Sequence, residues 1–187
     1  MSRSYAAILT GMSIFGIAGP ANAIIYLSPS TAGVISGDHG GPNCEPDCVE
    51  TTFGVEDGSL SLLYKAEVGG ADSGLFAGSY DTTFLNSAND PSGALIDYIG
   101  GAAISCPSCY LAIKDGNHNP SYYFYDLSAW DGTELIALSN FWPGRGAISH
   151  LSIWGADTST NVPEPATLGL LSLGLLGVGA VRRKRTN

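Results

Sequence analysis

Residues 60–68 read LSLLYKAEV. In an extended chain Leu60, Leu62, Tyr64, Ala66 and Val68 fall on one face, and Ser61, Lys65 and Glu67 fall on the other. A period of two marks a strand buried on one side, because successive side chains of a strand point in opposite directions. Leu63 interrupts the alternation once. The segment predicts a β-strand with one apolar face, and the signal recurs through the body of the chain.

Further strand candidates lie at residues 75–80, 82–85, 102–105, 110–114, 122–127, 134–139 and 147–154. The stretches GGADSG, NDPSG, DGNHNP, WDGT and WPGRG separate them, and such residues either tolerate positive φ or fix a turn. Many short strands with turns between them predict an all-β fold. The expected architecture is an antiparallel β-sandwich or jelly-roll-like single domain rather than a βαβ arrangement. No stretch of the body carries a helical stripe. Residues 34–50, rich in Gly, Pro and acids, are expected to form a long loop.

The two ends predict a destination. Residues 1–23 carry one cation, Arg3, then an uncharged apolar run over 6–18, Pro20 and the triplet Ala21-Asn22-Ala23. This is the layout of a secretory signal helix with cleavage after Ala23, so the mature chain is expected to begin at Ile24. At the other end, the fifteen residues 167–181 contain no charge and run into Arg182, Arg183, Lys184 and Arg185. As a helix they would rise about 22 Å against roughly 30 Å of bilayer hydrocarbon, a marginal span. The four cations would hold the C-terminus in the cytoplasm. Residues 24–155 are then the β-sandwich ectodomain, 156–165 a linker, and 166–187 the transmembrane helix with its basic tail.

Val162, Pro163, Glu164 and Pro165, the Gly/Leu-rich apolar run and the terminal cation cluster resemble the PEP-CTERM sorting signal of Gram-negative bacteria. The resemblance implies that a membrane-embedded exosortase recognises Pro163-Glu164-Pro165 and processes the chain there. It also implies an association with exopolysaccharide and biofilm. The two prolines keep the motif extended just outside the membrane, in a form that a processing enzyme can bind. Residues 110–155 also resemble the distal half of many PEP-CTERM ectodomains, which supports the fold more than any activity.

Charge is divided unevenly between body and tail. The chain has eight Lys and Arg against seventeen Asp and Glu, yet residues 24–161 hold only Lys65, Lys114 and Arg145 against sixteen acids, a net −13. Such a body would repel a phosphate backbone, which excludes nucleic acid as a partner. Its acids suit solubility and the attraction of cations.

The four cysteines stand in two local pairs, Cys44 with Cys48 and Cys106 with Cys109. In an exported chain they predict two structural disulfides, with three possible connectivities. A cross-link between the pairs would close loops of about sixty residues and contribute about 4 kcal/mol, whereas local bridges would pin two tight turns. Redox chemistry is disfavoured, because acids flank Cys44 and Cys48 and no cation lies close to Cys106.

Catalytic patterns are thin. No G-x-S-x-G, H-E-x-x-H or phosphate-binding Gly-rich loop is present, and His39, His118 and His150 are isolated. Asp115, Asn117, Asn119 and Asp126 echo a calcium loop but place Pro120 where its glycine belongs, which favours a hairpin turn. Eight of the body's sixteen aromatic residues lie between Tyr122 and Trp154. Core packing is the favoured reading of these rings; the alternative is a platform for stacking on sugar rings, for which Trp130 and Trp142, beside turn residues, are the better candidates for exposure. No catalytic residue, metal or cofactor is expected. The predicted function is that of a non-enzymatic envelope or extracellular-matrix component whose partners are an exosortase, the inner membrane through the C-terminal helix, and exopolysaccharide. The alternative is an exported carbohydrate-binding or glycoside hydrolase-like sandwich, for which Asp97 and Asp126 are a candidate acid pair. A third possibility is a display body glycosylated at Thr158, Ser159 and Thr160.

Overall fold

A computed structural model describes residues 23–38, 43–105, 107–116, 118–144 and 146–156. The expected signal helix, the glycosylation candidates, the Pro-Glu-Pro motif and the apolar run with its cations lie outside the described residues. Among the described residues no helix is long and apolar enough to cross a membrane.

The body is built from β1 (Ile24–Leu27), β2 (Ile35–Gly37), α1 (Asp47–Phe53), β3 (Ser61–Glu67), β4 (Tyr80–Leu85), β5 (Gly93–Tyr98), β6 (Cys109–Asp115), β7 (Tyr122–Asp126), β8 (Leu135–Leu138) and β9 (Ile148–Gly155). The strands form two sheets, one ordered β1-β8-β5-β4 and the other β2-β7-β6-β9-β3. Pairing is antiparallel throughout except at the edge, where β1 runs parallel to β8. Ile96, Ile136 and Leu138 of the first sheet join Leu111, Ile113, Leu151 and Ile153 of the second in a single buried cluster. The sheets therefore enclose one core, and burial of these side chains is the main term holding them together.

One phenol ties turns to that core. Tyr80 is buried, and its hydroxyl donates to the Gly132 carbonyl at 2.7 Å and accepts from the Ile104 N–H at 2.8 Å. Two backbone groups that water cannot reach are thereby satisfied.

The break that Leu63 makes in the alternation has a structural cause. The pairing of β3 with β9 shifts register between Leu62 and Tyr64, the signature of a bulge. Before the bulge, Leu60 and Leu62 pack on the outer side of the second sheet; after it, Leu63, Tyr64 and Ala66 pack in the core. Of the five residues expected on one face, Leu60 and Leu62 thus lie on one side, Tyr64 and Ala66 on the other, and Val68 past the end of β3.

Other expectations need correcting. Residues 75–80 are turns until Tyr80, and residues 102–105 form no strand, whereas β1 and the central strand β5 carried no alternation strong enough to announce them. Residues 34–50 are not one loop, because they contain β2 and the start of α1. The helix has seven residues, among them Val49, Thr51 and Thr52, which are poor helix formers. It persists because Cys48 and Val49 are buried on the outer face of the second sheet beside Tyr110, Ala112, Tyr122, Phe124 and Trp154. Asp47 and Glu50 complement its N-terminal dipole, and Gly54 closes it at φ 65. The second sheet is consequently covered on both sides, and every residue of β6 is buried.

Candidate functional site

Glu45 lies just before α1 and reaches into the outer face of the second sheet. Its Oε1 is 2.7 Å from His150 Nε2 and accepts from Ser152 Oγ at 3.3 Å, while its Oε2 accepts from the Tyr122 hydroxyl at 3.2 Å. The Trp154 indole N–H donates to Ser152 Oγ at 2.8 Å, and the Cys44 N–H donates to the Tyr122 oxygen at 3.4 Å. The side chains of His150 and Glu45 are 5% and 4% exposed. Burial alone would raise the Glu45 carboxyl; its bonds to His150 and Tyr122 outweigh that and hold it below its ordinary value. The cluster has serine, histidine and acid but not the geometry of a catalytic relay, because the serine and the histidine both bond the carboxylate. Its role is to clamp residues 44–53 onto the sheet. His150 is that clamp's anchor.

The same segment contains the Cys44–Cys48 disulfide. Cys109 is disulfide-bonded too, and Cys106 lies outside the described residues. The local pairing of Cys44 with Cys48 excludes the long cross-link between the two cysteine pairs. Glu50, buried inside α1, accepts from the Gly58 and Leu60 N–H groups at 3.0 Å each, and these two bonds hold its carboxyl below its ordinary value.

The concave surface lies elsewhere, where the β6–β7 turn meets the chain entering β5 and β9. Two adjoining hollows of about 440 Å³ and about 580 Å³ share Asp90, His118 and Gly146 as walls. Asp115, at the end of β6, accepts from the Ala147 N–H at 2.7 Å through Oδ2 and from the His118 N–H at 3.2 Å through Oδ1. His118 Nδ1 lies 3.3 Å from Asp115 Oδ1, and the imidazole is 39% exposed to the cleft. Gly146 has φ 96, and a Cβ there would collide with Asp115 and the His118 ring. The cleft can offer a polar ligand the Asp90 carboxylate and the His118 imidazole, while Asp115 is committed to fixing the turn.

The aromatic candidates are placed differently from expectation. Trp130 is 3% and Trp142 6% exposed. The Trp130 N–H donates to the Glu134 carbonyl at 2.8 Å, and its ring packs against Tyr80. The Trp142 N–H donates to the Pro120 carbonyl at 2.8 Å, and its ring packs on Tyr123 and Phe141, although the residue also lines the cleft. Adjacent turns gave each indole N–H a carbonyl, so both rings could turn inward. Neither presents a free face to a sugar.

The echo of a calcium loop also dissolves. Asp115 and Asp126 stand at opposite ends of the β6–β7 ladder, where Asp126 faces Tyr110. Asp126 accepts from the Ser128 N–H at 2.7 Å. Asn117 lies outside the described residues. Among the described residues no three His, Cys, Asp or Glu side chains converge on a metal position. Asp97 and Asp126, the candidate hydrolytic pair, alternate with core residues of β5 and β7 and so lie on opposite outer faces of the molecule, with both sheets between them.

Residues 161–185 match the PEP-CTERM protein-sorting motif. The chain therefore carries a PEP-CTERM sorting motif. The PEP-CTERM motif contains Val162, Pro163, Glu164, Pro165 and Arg182 to Arg185, and it marks the chain for export and for processing by an exosortase. The motif is a sorting signal in the C-terminal part of the chain. Neither a curated protein nor a solved structure matches the chain.

Proposed function

We propose that the body of this exosortase substrate is a non-enzymatic component of the cell envelope or extracellular matrix, held there in association with exopolysaccharide. The PEP-CTERM motif carries the proposal, since it marks the chain for export. The body suits such a life: it is strongly acidic, contains the Cys44–Cys48 disulfide, and buries one sheet on both sides. Stability to an uncontrolled medium and solubility among polymers follow from those features. The separation of Asp97 from Asp126 keeps these two acids from acting together as a hydrolytic pair.

Fractionation of producing cells tests this. The mature chain is expected in the matrix fraction, released by enzymes that degrade the polysaccharide, while loss of the exosortase leaves a longer precursor in the membrane. A chain processed normally but found wholly free in the medium would overturn the assignment.

A further inference from the structure

The first sheet has an outer face that no described element covers. Tyr26 of β1 is in register with Ala137 of β8, Ala137 with Leu95 of β5, and Leu95 with Thr83 of β4. These four residues form one row across all four strands, pointing away from the core residues Ile25, Leu27, Ala94, Ile96, Ile136 and Leu138. The next row starts with Ile24 opposite Leu135 and ends with Asp97 opposite Asp81. Continuing the pairing of Ile96 with Ile136 places Asp97 beside Leu135. Ile24, Tyr26, Thr83, Asp81 and Asp97 are exposed, and Tyr26 at 72% is the most exposed of the large apolar side chains.

Two properties make this face unusual. Like charges directly opposite on neighbouring strands disfavour the pairing, yet Asp81 and Asp97 stand in that relation. The Lys side chains among the described residues, Lys65 and Lys114, belong to β3 and β6 of the other sheet. The face thus combines an apolar strip bearing an exposed phenol ring with a pair of carboxylates on a sheet whose described strands contain no Lys or Arg.

We propose that this face binds polysaccharide carrying free amino groups, of the glucosamine type. Sugar rings lie along the row from Tyr26 to Thr83, and their ammonium groups meet Asp81 and Asp97. The strip between β1 and β4 spans roughly 14 Å, room for a few sugar rings. Tyr26 offers its ring face to the apolar C–H face of a sugar, and carboxylate–ammonium hydrogen bonds are the stronger, charge-assisted kind. The occupant must be cationic, because acidic chains would be repelled by the two aspartates and by a body of net −13. The proposal rests on the association with exopolysaccharide proposed above and names its chemistry.

Binding of glucosamine oligomers, their N-acetylated counterparts, oligouronates and oligolysine is measured on the mature chain released by the producing cells, alongside its sedimentation. The chain is expected to bind the free-amine oligomers more tightly than the other three. Tyr26→Ala, and separately Asp81→Asn with Asp97→Asn, each weaken that binding about five-fold or more, close to 1 kcal/mol. The exposed acid Asp57 serves as the control: Asp57→Asn, remote from the face, changes nothing. Unaltered melting temperatures establish that the variants are folded. Equal binding of oligolysine, equal loss in Asp57→Asn, or no binding of amine oligomers overturns the assignment. Self-association abolished by Tyr26→Ala without amine binding gives the face to a second copy instead. Matrix fractionation can succeed when this fails, so the two proposals are separable.

Discussion

The two sheets treat their outer faces in opposite ways. Beyond the second sheet, residues 44–53 fold into a clamped segment, so that Tyr110, Tyr122, Phe124 and Trp154 become a second apolar cluster. Phe53 stacks on Tyr110 with ring centroids 4.1 Å apart, and Glu45 anchors the segment to His150. Beyond the first sheet there is no such cover among the described residues, and Ile24 and Tyr26 remain exposed. One sheet has invested its outward aromatics in stability, while the other leaves an aromatic ring and two carboxylates available for a partner.

That contrast can be broken most sharply at the clamp. Glu45→Ala leaves the buried His150, Ser152 and Tyr122 groups without their shared acceptor and is expected to destabilise the body by about 3–5 kcal/mol in denaturant unfolding. A loss below 1 kcal/mol would mean that the segment is held by apolar burial alone. Phe124→Ala, which opens a cavity beneath the same segment, should cost about 3 kcal/mol or more on the same assay.

Removing the Cys44–Cys48 bridge with a double serine variant should cost about 2 kcal/mol, since the loop it closes is short. A larger loss would show that the bridge shapes the clamp rather than only restricting the unfolded chain.

Acid separates the two faces by chemistry. Glu45 and Glu50 have folded-state values depressed below 4.5, so their contribution is fully present above that pH and is lost as pH falls through the depressed values. Thermal melting temperatures are expected to fall below pH 4.5. The same titration on Glu45→Gln, which keeps the shape and removes the charge, should show a smaller fall. An identical profile in the variant would remove Glu45 as a source.

The smallest effect belongs to the open face. Tyr26→Ala should change unfolding stability by no more than about 0.5 kcal/mol, as surface substitutions do. A large loss would show that the ring packs against something outside the described residues.

Much of this was legible in the chain itself. The short apolar runs over residues 110–113 and 122–125 announced β6 and β7, because a strand covered on both faces needs apolar groups at successive positions. Leu63 marked a break in the alternation, but the bulge behind it, and the change of face midway along β3, needed the partner strand. β5 was not announced: GALIDY is buried at Gly93 and Ala94, where small residues give no hydrophobic signal. α1 was not announced either, since its residues are weak helix formers and only the sheet beneath them makes the helix favourable. Trp130 and Trp142 misled because turn residues suggest exposure, whereas their indole N–H groups found carbonyls inside. The open face left its trace only in register, as three residues from distant parts of the chain: Tyr26, Asp81 and Asp97.

By itself the sequence determined the sorting signal and the class of fold. A sorting motif is a linear pattern read by a processing enzyme, and strand periodicity is a local property, so neither needs a folded context. Tertiary structure decided which polar residues became a buried clamp and which aromatic ring stayed in solvent. Those outcomes depend on pairing between residues about a hundred positions apart, such as Glu45 with His150, and such distances are closed only when the two sheets have formed.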